Sequence, residues 1–217
     1  MVSNEEQDRW ASNLHPLINL YHGKKHPLEY NNLYQLMIMV ILSAQDSDAN
    51  INKISPILFK TFPNIESIAI STPEALLPYI SKVRNFETKA SWIIQIAQKL
   101  KEDKNIPTNL SDLIALKGIG RKSANVILRE INKPAEGIIA DLHVIRVAPR
   151  IGIISEVKDG NKVEKQLMEK LPKSIWGEIG MSISFLGREI CRPTNPKCDI
   201  CVVNKCCNYF KSNGKNL

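Results

Sequence analysis

The chain has 217 residues, 43% of them hydrophobic and 24% charged, and carries a net charge of +7. A chain of that length can bury two modest cores, and no signal peptide, tag or low-complexity tract is visible in it. The longest apolar stretch, Leu36 to Leu42 continued through Ala44, is too short to cross a bilayer. A membrane role is therefore not expected, and a reducing cytoplasmic setting, associated with the nucleoid, is.

Taken in chain order, the pattern predicts helices and no convincing alternating strand. The first spans 4–21, and the second, over 32–45, is apolar on most sides and reads as a buried core element. Helices follow at 47–60 and 73–80. Ala90, Ile93, Ile94, Ala97 and Leu100 recur at helical spacing and mark one face of a helix from about 87 to 101. Ser111 reads as a cap for a short helix carrying Leu113 and Leu116. Further helices are expected at 121–131, 142–150, 161–171 and 174–190. Polar breaks at 22–26 and 132–137 predict one helical domain over residues 23–133. Residues 1–22 together with 134–217 would form a second, discontinuous one.

Residues 116–125 read Leu-Lys-Gly-Ile-Gly-Arg-Lys-Ser-Ala-Asn. Gly118 and Gly120 suit a tight turn with positive φ that leaves backbone N–H groups uncovered, and the following helix aims its positive end at the same place. Such a turn can seat a phosphate, and Lys122 in the first helical turn would then hold its amine close to the sugar of a bound strand. A lone Gly-x-Gly more often just joins two elements. The dinucleotide-binding version needs a preceding strand and a third glycine, whereas a helix precedes this turn and position 123 is Ser. The unit is a helix, a hairpin and a helix.

All five cysteines fall between positions 191 and 207. Disulfides fit badly, because the count is odd and Cys206 and Cys207 are adjacent. Structural zinc usually shows two close Cys pairs, and only Cys198 and Cys201 form one here. Cys191, Cys198, Cys201 and Cys207 suit a cubane iron–sulfur cluster better, with Cys206 left over.

With Leu-Ser-Ala-Gln at 42–45, the hairpin at 116–125, Ala-Asp-Leu-His at 140–143 and the cysteine loop in that order, the sequence resembles the endonuclease III-type DNA glycosylases of the helix-hairpin-helix superfamily over nearly its whole length. The resemblance implies an all-α, two-domain fold: a six-helix barrel, and a domain with a C-terminal [4Fe–4S] cluster held by the four cysteines. It implies Lys122 as nucleophile and Asp141 as its assisting carboxylate. It also implies DNA contacts from Gln45, Lys117, Gly118, Gly120, Arg121, Ser123 and Arg192, with Gln45 entering the space left by an extruded nucleotide. The partner implied is double-stranded DNA with damaged bases or abasic sites, met by a monomer.

Charge agrees with that reading. Residues 117–150 hold seven basic and three acidic residues, and 188–211 hold five and two, which accounts for the whole net charge. A basic stripe around a phosphate-seating hairpin is the footprint of a nucleic-acid binder, although any single lysine in it is better explained as solvated surface. Asp141 precedes an apolar run, where an aspartate is ordinarily an N-cap, and it can do both jobs. Lys122 alone could contact a phosphate, Gln45 could end a helix, and His143 is a structural residue.

Four positions depart from the family pattern. Lys117 stands where Pro is usual, Asp46 where a small residue is, and Leu142 where a hydroxyl residue is. Arg84 and Asn85 replace a Gly and an apolar wedge residue. The chemistry is expected to be base excision with β-elimination, on oxidised pyrimidines by default. Another lesion, a modified base or bare abasic sites remain alternatives. A monofunctional mismatch glycosylase usually carries Ser or Tyr where Lys122 stands, and a non-catalytic DNA-binding module would need neither Lys122 nor Asp141.

Overall fold

The computed structural model describes residues 3–213, and among these no β-strand forms; the all-α expectation holds. The α-helices are α1 (Asn4–Leu20), α2 (Leu33–Ser43), α3 (Asp48–Thr61), α4 (Ile65–Ala69), α5 (Pro73–Ile80), α6 (Phe86–Leu100), α7 (Leu110–Ile114), α8 (Arg121–Glu130), α9 (Leu142–Ile151), α10 (Gly160–Lys170), α11 (Trp176–Glu189) and α12 (Asn208–Asn213). Ser3, Asn32, Ser47, Asn64, Asn109, Asp141 and Asp159 cap seven of them, each accepting a backbone N–H from the first turn. Such caps satisfy donors that helix geometry leaves orphaned.

Two compact units emerge, one of Lys25–Lys133 and one of Met1–Lys24 with Pro134–Leu217. In the first, every residue of α2 from Leu36 to Leu42 is buried. Burial of side chains of this size contributes roughly 1.5–3 kcal/mol each, which makes α2 the axis on which α3, α6 and α8 pack. In the second unit α9 buries Val144, Val147, Ala148 and Ile151, one face at i, i+3, i+4 and i+7, against α11. The two helices meet closely: a Cβ on Gly187 of α11 would stand 2.8 Å from the Cβ of His143 on α9.

Two local expectations are corrected. The cap of α7 is Asn109, whose Oδ1 accepts from Asp112 N at 2.9 Å, while Ser111 lies inside the helix and donates its hydroxyl to the same Asn109 oxygen. Helix α4 was not anticipated, because five residues are too few to display a helical period.

Candidate active site

The hairpin joins α7 to α8 inside the Lys25–Lys133 unit. Leu116 and Ile119 are buried and pin its two arms, and Gly118 between them adopts φ +81. A Cβ there would stand 2.6 Å from Trp92 Cε3 and 3.4 Å from Ile41 Cγ2, so the turn lies flat against α6 and the last turns of α2. Gly120 differs from the expectation of positive φ: it is extended, at φ −89 and ψ 175, with nothing within 4 Å of an added Cβ. Its place is the N-cap of α8, where it offers no side-chain cap. A glycine here leaves the N-terminal end of α8 open to an approaching anion. Arg121, Lys122 and Ser123 form the first turn and are half-buried. Lys117 is exposed and donates from Nζ to Gln95 Oε1 at 2.9 Å.

Gln45 lies in the same unit, in the turn after α2. It is exposed, and its φ of +59 is left-handed. The turn is held from α6 by Lys89, a 2% exposed lysine whose ammonium donates to the carbonyls of Leu42 and Ala44 at 2.7 Å each. Burial lowers the pKa of that ammonium against the opposing influence of Asp46. Carbonyls at the end of a helix lack backbone partners, and a buried cation satisfies them.

Asp141 belongs to the other unit and caps α9, with Oδ1 accepting from His143 N and Val144 N at 2.9 Å each. Its second oxygen, Oδ2, accepts the Ser184 hydroxyl at 2.6 Å and lies 3.8 Å from Arg188 Nη2. One carboxylate oxygen thus fixes the helix start, and the other is oriented from α11. Ser184 is fully buried, and sequence reasoning gave no reason to single it out. Leu142, the next residue, is 79% exposed.

Cys191, Cys198, Cys201 and Cys207 line one apolar cavity with Val147, Ile151, Leu186, Ile190 and Val203. Cys206 is not part of that lining and donates its thiol to the Val203 carbonyl at 3.2 Å. Burial pushes the Cys201 thiol up to about 11; burial, Cys191, Cys207 and Asp199 raise that of Cys198. Four sulfurs lining one cavity, two of which, Cys198 and Cys201, resist ionising on their own, fit a bound group bearing positive metal charge. Among the described residues no three His, Cys, Asp or Glu side chains are arranged to hold a single metal ion. Sulfurs spread around a cavity fit a multi-atom cluster.

Two arginines of α9 anchor this cysteine loop. Arg146 donates to the carbonyls of Gly187 and Cys191 at 2.9 and 3.2 Å. Arg150 donates to those of Arg192 and Pro193 at 2.8 and 3.1 Å and lies 3.6 Å from the Cys191 sulfur. Both counted in the basic stripe of the sequence, yet their guanidinium groups serve the loop. Arg129 likewise pairs with Glu130 at 2.6 Å. The Arg192 side chain is exposed.

Over residues 38–173 the sequence matches the HhH-GPD superfamily base excision DNA repair proteins. The chain belongs to that superfamily. It is 32% identical over 185 residues to endonuclease III of Thermotoga maritima, covering 84% of this chain and 85% of that one. Against endonuclease III of Haemophilus influenzae it is 34% identical over 199 residues, 89% of this chain and 93% of the other. A solved non-covalent endonuclease III–DNA complex superposes with a TM-score of 0.84 at 28% identity over all of both chains. A trapped endonuclease III–DNA covalent intermediate does so at 0.83 and 28% identity, over 99% of this chain and 100% of that one. The chain is thus an endonuclease III-family protein, a base excision repair DNA glycosylase. No helix of the described residues is long and apolar enough to cross a membrane.

Proposed function

We propose that this endonuclease III-family protein is a bifunctional enzyme that excises a damaged base from double-stranded DNA and then nicks the strand. The observation that carries the proposal is the placement of Lys122 in the first turn of α8, directly behind the Gly118–Gly120 turn and a helix N-terminus capped by glycine. Backbone N–H groups there seat a phosphate of the damaged strand, with Lys117, Arg121 and Ser123 around it, and Arg192 is a further DNA contact.

As the bond between C1′ and the base breaks, its electron pair leaves with the base and positive charge builds on the sugar. Asp141, oriented by Ser184, stabilises that charge. The Lys122 amine attacks C1′, gives up a proton and, after the ring opens, forms an imine with C1′. Loss of a C2′ proton then expels the 3′ phosphate and cuts the strand. Water hydrolyses the imine and frees the lysine. Gln45 fills the space the extruded nucleotide leaves. Cys191, Cys198, Cys201 and Cys207 hold a [4Fe–4S] cluster, which supplies folding energy to the loop bearing Arg192.

Oxidised pyrimidines are the substrate class we assign, and the protein acts in the cytoplasm as a monomer. The exposed Leu142 beside Asp141 supports a second reading, in which a different lesion is preferred because an apolar side chain replaces a hydroxyl next to the reacting sugar. Borohydride trapping on oligonucleotides bearing oxidised pyrimidines, mismatches, alkylated bases or abasic sites tests both. A covalent adduct forming fastest with oxidised pyrimidines supports the first reading, and absence of any adduct refutes the lysine chemistry.

A further inference from the structure

Asp46 has a carboxylate with three donors, and they come from both sides of a gap between two turns. Oδ1 accepts from Ser47 N at 2.8 Å and Asn50 Nδ2 at 3.0 Å, both on the Gln45 side. Oδ2 accepts from Arg84 N at 2.9 Å, in the turn that leads into α6. Asn50 Nδ2 also donates to the Lys82 carbonyl at 3.2 Å, a second tie between the same two turns. Beneath them Lys89 on α6 grips the end of α2 through two carbonyls.

What these ties hold is unusual backbone. Gln45 at φ +59 and Asn85 at φ +56 are both left-handed and exposed, one in each turn. Asn85 tolerates that conformation readily, whereas at Gln45 the longer side chain makes it unfavourable and it persists only where the surroundings fix it. Burial opposes ionisation of Asp46, but the Arg84 N–H, the Asn50 amide and the Ser47 N–H outweigh it and hold its carboxyl below the usual value. The acceptor is therefore a full carboxylate near neutrality, and hydrogen bonds to an ionised acceptor are the stronger kind.

We propose that Asp46 is a positioning residue that joins the Gln45 turn to the Arg84–Asn85 turn, so that two amide side chains engage the opened duplex as one rigid, two-pronged element. The inference rests on the reading of Gln45 as the residue that fills the vacated space. An amide carries both donor and acceptor groups, so the pair suits the polar base edges exposed when a nucleotide leaves the stack. A rigid pair is already in the geometry it needs when it enters, and the ordering cost falls outside the binding step. Asp46 touches neither the reacting sugar nor the base.

The test measures single-turnover nicking by wild type, Q45A, D46A, D46N and the double variant Q45A/D46A, on one lesion placed opposite its normal partner and opposite a mismatch. A mispaired lesion is easier to extrude. D46A should slow the paired lesion by about tenfold and the mispaired one by less than about threefold, because only the paired lesion depends strongly on the wedge. D46N, which keeps one acceptor oxygen, should fall between. In the Q45A background D46A should add less than about twofold, since coupled residues are not additive.

Equal slowing on both duplexes, or full multiplication of the two single effects, overturns the proposal by making Asp46 merely structural. If D46A unfolds, D46N decides on the same criteria. If wild type nicks nothing, the enzymatic reading fails separately, and hydrogen exchange at the Arg84 amide decides the brace. D46A should expose that amide by at least about tenfold, and an unchanged exchange rate overturns the proposal.

Discussion

The Ser184 hydroxyl donates to Asp141 Oδ2 across 2.6 Å, while the other oxygen of the same carboxylate caps α9. The capping duty and the catalytic duty we propose for Asp141 thereby fall on different oxygens of one side chain. The division makes separable predictions. Asn is as good an N-cap as Asp, so Asp141→Asn should fold and melt close to wild type while base excision falls by orders of magnitude. On a preformed abasic site, where no glycosidic bond remains, nicking should persist. A large drop in melting temperature would mean that the loss is structural.

Ser184→Ala removes the orienting bond without touching the cap. A lost hydrogen bond to a charged group is worth about 1.5 kcal/mol or more, so excision should slow by roughly tenfold. The measurement is single-turnover base release beside lyase rate on abasic DNA. Unchanged base release would show that Arg188 alone suffices to orient Asp141.

The hairpin glycines should respond differently to the same substitution. At Gly118 a Cβ meets both a positive φ and Trp92, so Gly118→Ala should destabilise the protein by more than about 2 kcal/mol. At Gly120 the backbone is ordinary and the space open, so Gly120→Ala should alter stability by about 1 kcal/mol or less. Its methyl group would instead stand where the proposed phosphate approaches. Affinity for undamaged duplex, measured at fixed low salt, should fall for Gly120→Ala at nearly constant melting temperature.

Iron analysis and optical absorption check the cysteine cavity. The purified protein should contain iron in place of zinc and absorb broadly near roughly 400 nm. Cys198→Ser should lose the absorption and most soluble protein, because the loop would lose the folding energy that a bound cluster supplies. Cys206→Ser should keep both, as its thiol is outside the cavity lining and donates to the Val203 carbonyl.

How far the sequence carried these conclusions depended on the range of the interactions. Helix α9 was legible because its cap and the apolar run that follows it are local signals. The hairpin was legible as a unit, but the two glycines were not distinguishable, since only the packing of Trp92 and Ile41 against Gly118 separates them. Ser184 and Asp141 are 43 positions apart, and Lys89 lies 45 from Ala44, so no spacing rule could pair them. Arg146 and Arg150 were read as part of a basic stripe because charge is visible in a sequence and its hydrogen-bond partners are not. Their carbonyl partners belong to a loop whose course only the folded chain reveals.

The remaining prediction separates the amine from the phosphate seat. On the proposed reading Lys122 contributes an amine to a turn whose hold on phosphate comes from backbone N–H groups, so Lys122→Ala should leave affinity for undamaged duplex within about threefold of wild type. Loss of one phosphate contact would instead flatten the salt dependence of binding by nearly one unit of slope. The same variant should form no borohydride-trapped adduct and produce no nick on abasic DNA, because no other group would carry the electron pair to C1′. Parallel measurement of salt-dependent binding and of trapping distinguishes the two jobs a lysine at a helix start can do. A Lys122→Ala protein that still traps at the wild-type rate would place the nucleophile on another amine.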